Sequence, residues 1–177
     1  DGTFADKVVL TFAPPALGGD ITGYQIYRST SPGSSCSGSP VVANQSVGTL
    51  TYTDTDVTAG TVYYYSMKTL AATGASDCSV VESGFPRIGA PNSVQASDGT
   101  FPDRVDVVWT PPVTGGDISG YTLYRDLTSA SCQTERVAGF GASSTQYSDS
   151  AVTPGTLYYY SVKTISPTGA SVCSPID

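Results

Sequence analysis

The sequence repeats itself once, and this repeat limits the folds that the chain can adopt. Residues 1–28 align without a gap with residues 98–125 at an offset of 97, and residues 51–79 align with residues 146–174 at an offset of 95. The difference of two residues between the offsets falls in the segment that joins the two blocks. A repeat of this period indicates two copies of one structural unit of about 95 residues.

Apolar and polar residues alternate in short runs within each copy. In the second copy the alternating apolar positions are Val105, Val107, Trp109, Tyr121, Leu123, Tyr158, Tyr160 and Val162. Turn-forming Pro, Gly, Asp and Ser residues separate the runs, and a period of two in short runs is typical of strands. The sequence therefore predicts an all-β chain of two tandem antiparallel sandwiches, one over residues 1–88 and one over residues 89–177.

Composition argues against several classes of function. The net charge is −7, whereas nucleic acids and anionic membranes select basic surfaces. No apolar run has the length needed to cross a bilayer. The chain has no His, the commonest general base and metal ligand, and its four Cys do not form C-x-x-C pairs. We therefore expect no catalysis, no cofactor, no nucleic acid partner and no membrane insertion.

The two copies differ in what precedes them. Residues 90–97 (APNSVQAS) come directly before the second copy and have the pattern of a first strand, whereas no residue precedes Asp1. We therefore expect the first unit to lack its own first strand and the sequence to be a window of a longer array. Two sources for the strand are open: a preceding part of the chain, which we favour, or a neighbouring subunit that adds a strand at the free edge.

Several motifs resemble those of fibronectin type III domains. The strings are RVDVVWTPP (104–112), ISGYTLYR (118–125) and VTPGTLYYYSVKTISPTGAS (152–171). Members of that family place a Trp on the second strand, a Tyr and an aliphatic residue on the third, and a Pro-Gly-Thr-x-Tyr corner before the sixth. The first copy fits more loosely, because Phe12 replaces the Trp, Ala59 replaces the Pro and Val57 replaces the usual Leu. The style of the repeats is similar to that of secreted, multidomain bacterial surface proteins.

The resemblance implies a seven-strand antiparallel sandwich for each unit, with two sheets facing across one core. It also implies that Tyr158 and its counterpart Tyr63 are corner tyrosines, whose hydroxyl groups bond to nearby backbone. The inward positions would then be Tyr160, Val162, Tyr65 and Met67, together with Trp109 or Phe12. Because neighbouring strand residues face opposite sides, Tyr159 and Tyr64 would point outward.

Each copy has two cysteines at equivalent places. The repeat makes Cys36 with Cys78, and Cys132 with Cys173, the natural pairs, with one Cys in the middle loop and one on the last strand. A disulfide closing a loop of about forty residues adds ~3–4 kcal/mol in the chain-entropy model. Disulfides indicate an oxidising compartment, and hence a secreted or cell-surface protein. The alternative is four buried free thiols.

The outward tyrosines are the strongest candidates for a contact surface. The third and sixth strands are neighbours in the implied fold, so the outer Tyr residues of each unit share a face, and an Arg follows the first of them. The candidate contact surface therefore consists of Tyr27, Tyr64, Tyr124, Tyr159, Arg28 and Arg125. Such rings can bind sugars or another protein. The alternative is a cross-strand pair that stabilises the sheet by ~0.2–1 kcal/mol without a ligand.

Two further patterns have weaker interpretations. Repeated aspartates bring Asp1, Asp6 and Asp20, and their counterparts Asp98, Asp103 and Asp117, into each unit. They suit either a calcium site or turns, and we favour turns, because calcium takes six to eight oxygen ligands. Asn44-Gln45-Ser46 is an acceptor pattern for N-linked sugar, and the Ser/Thr-rich loops suit O-linked sugars or a plain polar loop.

Two hypotheses of function follow. The first is a non-catalytic extracellular structural or adhesive repeat, part of a stalk or fibre-like array whose partners are other copies or neighbouring subunits. The second is a carbohydrate-binding or spacer module attached to a secreted hydrolase, with glycans as partners.

Overall fold

The computed structural model describes residues 2–16, 19–114, 116–130, 132–133 and 135–177, and the regular secondary structure of these residues is entirely β. They form two compact units, Asp1–Val57 with Thr61–Pro86, and Thr58–Gly60 with Arg87–Asp177. All strand pairs within the sheets are antiparallel. The predicted all-β fold class is confirmed.

The first unit has two sheets. Its strands are β1 (Val8–Thr11), β2 (Ile21–Ser29), β3 (Val42–Gln45), β4 (Thr51–Asp54), β5 (Tyr63–Ala71), β6 (Gly74–Ala75) and β7 (Glu82–Gly84). The smaller sheet pairs β1 with β4, and the larger has the order β3-β2-β5-β6, with β7 also paired to β5.

The second unit repeats this plan with one addition. Its strands are β8 (Ser93–Ala96), β9 (Val105–Thr110), β10 (Gly120–Asp126), β11 (Glu135–Gly141), β12 (Gln146–Asp149), β13 (Tyr159–Ser166) and β14 (Gly169–Ala170). The sheets have the orders β12-β9-β8 and β11-β10-β13-β14. The smaller sheet therefore has three strands here but two in the first unit, and the additional strand is β8.

Strand alternation builds one core in each unit, because every second side chain of a strand faces the opposite sheet. The second core contains Val94, Val107, Trp109, Tyr121, Leu123, Tyr160 and Val162. The first core contains Val8, Ile26, Tyr63 and Tyr65, with Phe12 and Met67 half-buried against them. All of these except Val94, Val8, Ile26 and Tyr63 are inward positions that the alternation or the family resemblance implied.

The segment that carries Cys78 is not the continuous last strand that we expected. Cys78 lies between β6 and β7, where serine side chains complete the hydrogen bonding to β5. The Met67 N–H donates to Ser79 Oγ at 3.0 Å, and the Ser79 N–H donates to the Met67 carbonyl at 2.8 Å. Because a side-chain oxygen replaces a backbone acceptor, this segment follows β5 without forming a regular ladder. Val162 and Ser174 repeat the arrangement in the second unit.

Candidate functional site

Each unit contains one disulfide that is anchored to the middle of its larger sheet. The bonds join Cys36 to Cys78 and Cys132 to Cys173, with Cα–Cα distances of 6.0 and 6.1 Å, so the predicted disulfides are confirmed. The Cys36 N–H donates to Ser66 Oγ at 2.9 Å, and the Cys132 N–H donates to Ser161 Oγ at 2.9 Å. Cys36 and Cys132 both have positive φ, 44° and 51°, a conformation that non-glycine residues rarely adopt.

In the first unit, the disulfide segment covers part of the face on which exposed tyrosines were expected. Ser66 pairs with Tyr27 across β5 and β2, so their side chains lie on the same, outer face. Ser66 is nonetheless buried, because the segment around Cys36 lies over it. The expectation that Tyr27 is exposed was wrong: its ring is only 9% exposed, and its hydroxyl donates to Gln25 Oε1 at 3.0 Å.

The other three tyrosines of the predicted surface are half-buried. They are Tyr64 in the first unit and Tyr124 and Tyr159 in the second. Tyr124 pairs with Ser161, so Tyr159 is its diagonal neighbour on the outer face. Lys163 Nζ lies 5.7 Å from the centre of the Tyr124 ring. The described aromatic surface is therefore larger in the second unit, where two rings and one cation share a face.

The two arginines do not belong to this outer surface, which corrects the prediction. Arg125 is 8% exposed and pairs with Tyr160 across β10 and β13. Its Nη1 contacts Asp149 Oδ2 at 2.8 Å and the Ala151 carbonyl at 2.8 Å. An Arg that follows an outward Tyr on a strand must face inward, because neighbouring side chains alternate.

A buried cluster of Arg, Asp and Tyr results in the second unit. Asp149 is fully buried, and its Oδ2 also accepts the Tyr160 hydroxyl at 3.0 Å. Its Oδ1 accepts the Ala151 N–H at 3.0 Å. Burial, and then the charge of Asp149, raises the pKa of Tyr160. The Arg125 guanidinium lies 5.0 Å from the centre of the Tyr158 ring.

The first unit contains the same cluster with one further carboxylate. Arg28 Nη1 lies 2.9 Å from Asp54 Oδ2, which accepts the Tyr65 hydroxyl at 2.9 Å, and Arg28 Nη2 lies 3.0 Å from Asp56 Oδ2. Burial lowers the pKa of Arg28, but the hydrogen bonds and charges of Asp56 and Asp54 outweigh it, so the pKa is raised. The pKa of Tyr65 is raised by burial and by the Asp54 carboxylate.

The sequence contains a signal for this cluster. The Arg, Asp and Tyr positions are identical in the two copies, as Arg28, Asp54 and Tyr65 and as Arg125, Asp149 and Tyr160. By the alternation of side chains along their strands, all three side chains face inward. Each charge of the second cluster is paired and hydrogen-bonded within the unit, as stability requires of buried charges. The cluster therefore links the larger and the smaller sheet of each unit.

The tyrosine corner of the second unit forms as the family resemblance implied. The Thr153 N–H donates to the Tyr158 hydroxyl at 3.1 Å, which closes the turn before β13. This backbone hydrogen bond lowers the pKa of Tyr158. Its counterpart Tyr63 is a buried member of the first core, with the Arg28 guanidinium 5.2 Å from its ring centre.

The weaker candidate sites have no geometry that assigns them a ligand. Within the described ranges, no three His, Cys, Asp or Glu residues are placed to hold a metal ion, and Asp1 lies outside those ranges. Asn44 is exposed on β3. Its use as a sugar acceptor stays a prediction. Among the residues with described positions, no helix is long and apolar enough to pass through a bilayer.

Comparison with known proteins identifies the fold. Residues 89–175 match the family model of the fibronectin type III domain. A solved two-domain fibronectin type III segment of chicken tenascin has a TM-score of 0.69 and 17% identity, covering 96% of this chain and 90% of that one. No curated protein sequence matches this chain.

Two larger structures match at lower similarity. Titin kinase with its flanking domains has a TM-score of 0.44 and 26% identity, covering 50% of this chain and 16% of that one. The FN1–FN3 domains of chicken CNTN1 have a TM-score of 0.42 and 16% identity, covering 99% of this chain and 62% of that one. Neither likeness is close enough to support an argument. On the family match and the tenascin likeness, residues 89–175 are a fibronectin type III domain, and the chain has the fold of two such domains in tandem.

Proposed function

We propose that this chain is part of a non-catalytic extracellular structural or adhesive protein, in which such units form a stalk or fibre-like array. The observation that carries the proposal is that the two units share their stabilising features. Both have a disulfide anchored on the outer face and a buried Arg–Asp–Tyr cluster. An array of domains needs each unit to stay folded, and repetition then provides length.

The disulfides support the extracellular part of the proposal. Disulfides persist in oxidising compartments and are rare where thiols are kept reduced. All four cysteines of the chain are paired. The partners in such an array are other copies of the repeat or neighbouring subunits.

Immunogold electron microscopy of the source cells tests this location. Antibodies raised against the purified chain should label the cell surface or shed extracellular material. The same cells, lysed in the presence of an alkylating agent, should yield the protein with its four cysteines unmodified. Label confined to the cell interior, or alkylated cysteines, would contradict the proposal.

A second candidate function rests on the outer face of the second unit. Tyr124, Tyr159 and Lys163 there offer two half-exposed rings and a cation, which suit a carbohydrate ligand of a module beside a secreted hydrolase. A glycan array is the test. Binding that is lost in Tyr124→Ala and Tyr159→Ala, but kept in the first-unit control Tyr64→Ala, would support it. Absence of binding to any glycan would rule against it.

A further inference from the structure

The outer face of the smaller sheet in the second unit carries polar side chains in two rows. The first row crosses β8, β9 and β12, because Gln95 and Gln146 both pair with Val108. The second row places Ser148 of β12 opposite Asp106 of β9. The neighbours of Val108 along β9 belong to the core, so Val108 and Asp106 face outward. A groove of about 420 Å³ lies over the part of both rows that β9 and β12 form.

The fold holds Asp106 in place through one of its two carboxylate oxygens. Asp106 Oδ1 accepts the Ser148 hydroxyl at 2.6 Å and the Arg104 Nε–H at 3.1 Å. The Arg104 guanidinium stacks on the Phe101 ring, 3.6 Å from its centre. The Ser148 hydrogen bond, and Arg104 after it, lower the pKa of Asp106, so the carboxylate is ionised at neutral pH. No described residue donates to Asp106 Oδ2, which leaves this oxygen as an acceptor for a ligand.

The two glutamines of the face have hydrogen-bonding groups that the described part of the chain does not use. The side chains of Gln95 and Gln146 are exposed, and neither amide has a partner among the described residues. Val108 lies between them and is 43% exposed. The face therefore combines an apolar centre with amide donors and acceptors on both sides of it.

These groups suit a neutral ligand that carries several hydroxyl groups. Arg104 balances the charge of Asp106, so the face selects neither a cation nor an anion. The oxygens of Asp106, Ser148 and the amides accept hydrogen bonds, and the amide N–H groups donate them. A hydroxyl group can do both, and the C–H groups of a sugar ring can cover Val108. Residues two apart on a strand lie about 7 Å apart, a distance that one sugar ring spans.

We propose that this outer face binds a neutral sugar, with ring hydroxyls that donate to Asp106 Oδ2 and bond to the Gln146 amide while the ring covers Val108. The site lies on a different sheet from Tyr124, and it does not depend on the proposed array. The first unit lacks the site, because Val9 stands in place of Asp106 at the repeat offset of 97.

NMR titration of the intact chain tests the site. The ligands are neutral hexasaccharides of glucose, mannose, xylose and galactose, with hexagalacturonate as the charged counterpart of the last. For at least one neutral ligand we expect a Kd of about 1 mM or tighter, with the largest amide shifts at Asp106, Val108 and Gln146 and none at Val9. The proposal is overturned if no neutral ligand binds at about 10 mM, or if only hexagalacturonate binds.

Variants separate this site from the other sheet and from the fold. Asp106→Asn keeps the shape of the side chain and should weaken binding about tenfold, because bonds to a charged acceptor are lost. Gln146→Ala breaks no bond of the described fold and should weaken binding about threefold or more. The first-unit control Thr53→Ala should bind as the unsubstituted chain does, and Trp109 fluorescence in guanidinium checks that each variant is folded. Unchanged affinity in both Asp106→Asn and Gln146→Ala, or a loss in Tyr124→Ala instead, would overturn the proposal.

Discussion

Asp149 is a fully buried carboxylate whose partners include Arg125, Tyr160 and Ala151. Replacing it with Asn removes the carboxylate charge that faces the buried Arg125 guanidinium. We expect Asp149→Asn to lower the free energy of unfolding by about 3–5 kcal/mol. Guanidinium unfolding followed by Trp109 fluorescence measures this, because Trp109 is the single Trp of the chain and lies in the second core.

The control for this variant is an ion pair at the surface of the same unit. Asp106 contacts Arg104 at 3.1 Å with its side chain 35% exposed. Because water screens such a pair, Asp106→Asn should destabilise the second unit far less than Asp149→Asn does. Equal effects of the two substitutions would contradict the role given to the buried cluster.

Because of the Tyr160 hydroxyl, the stability of the second unit should fall at alkaline pH. Burial and Asp149 raise its pKa in the folded state, so the native protein keeps a proton that the unfolded chain loses near its usual pKa of about 10. The stabilisation is complete below about pH 10 and falls as the pH rises toward the folded pKa, by about 1.4 kcal/mol per pH unit.

Tyr160→Phe should therefore flatten the alkaline loss of stability in the second unit. Denaturant titrations between about pH 9 and 11, followed by Trp109 fluorescence, give the slope for each protein. At neutral pH the variant should be less stable by about 1–3 kcal/mol, because a hydrogen bond to a charged acceptor is lost. An unchanged slope above about pH 10 would show that Tyr160 does not retain its proton in the folded state.

At the scale of elements, alternation predicted the strands and the inward-facing aromatic rings. It did not predict which parts of the outer faces lie under other segments of the chain. The pattern placed Tyr160 and Val162 inward, as the structure has them. It placed Tyr27 on the outer face correctly, yet Tyr27 is buried there, and its cross-strand neighbour Ser66 is bonded by the segment around Cys36, which no periodicity reveals. Cys36 has a positive φ where its N–H donates to the Ser66 hydroxyl, and nothing in the sequence distinguishes Ser66 from the other serines.

This covering predicts what removal of the disulfide does. In the double variant Cys36→Ser/Cys78→Ser, the closed loop loses its constraint, and the first unit should lose about 3–4 kcal/mol of stability. The segment around Cys36 should also leave the outer face, which exposes Tyr27. Mass spectrometry after hydroxyl-radical footprinting measures the exposure of this ring. The matched variant Cys132→Ser/Cys173→Ser should leave Tyr27 protected, and equal labelling of Tyr27 in both variants would contradict the explanation.

At the scale of the whole molecule, two similar sequences produce two units of unequal completeness. Each unit has its own core, but the smaller sheet has two strands in the first unit and three in the second. The sequence predicted the additional strand, because residues 90–97, which contain β8, come directly before the repeated block that begins at Asp98. The consequence for the core, that Leu10 and Phe12 are only half-buried, follows from the packing of the sheets and not from the repeat.

The first unit should therefore unfold before the second. The cover that Val94 gives the second core is worth about 1.5–3 kcal/mol, and no described residue supplies it to the first unit. In guanidinium titrations, far-UV circular dichroism should show a transition that precedes the change in Trp109 fluorescence, since Trp109 reports the second unit alone. Val94→Ala should lower the free energy of unfolding of the second unit by about 1–3 kcal/mol, so the Trp109 fluorescence transition should move to lower denaturant concentration. The earlier transition, which belongs to the first unit, should not change. Coincident transitions in the unsubstituted chain would show that the uncovered edge does not weaken the first unit.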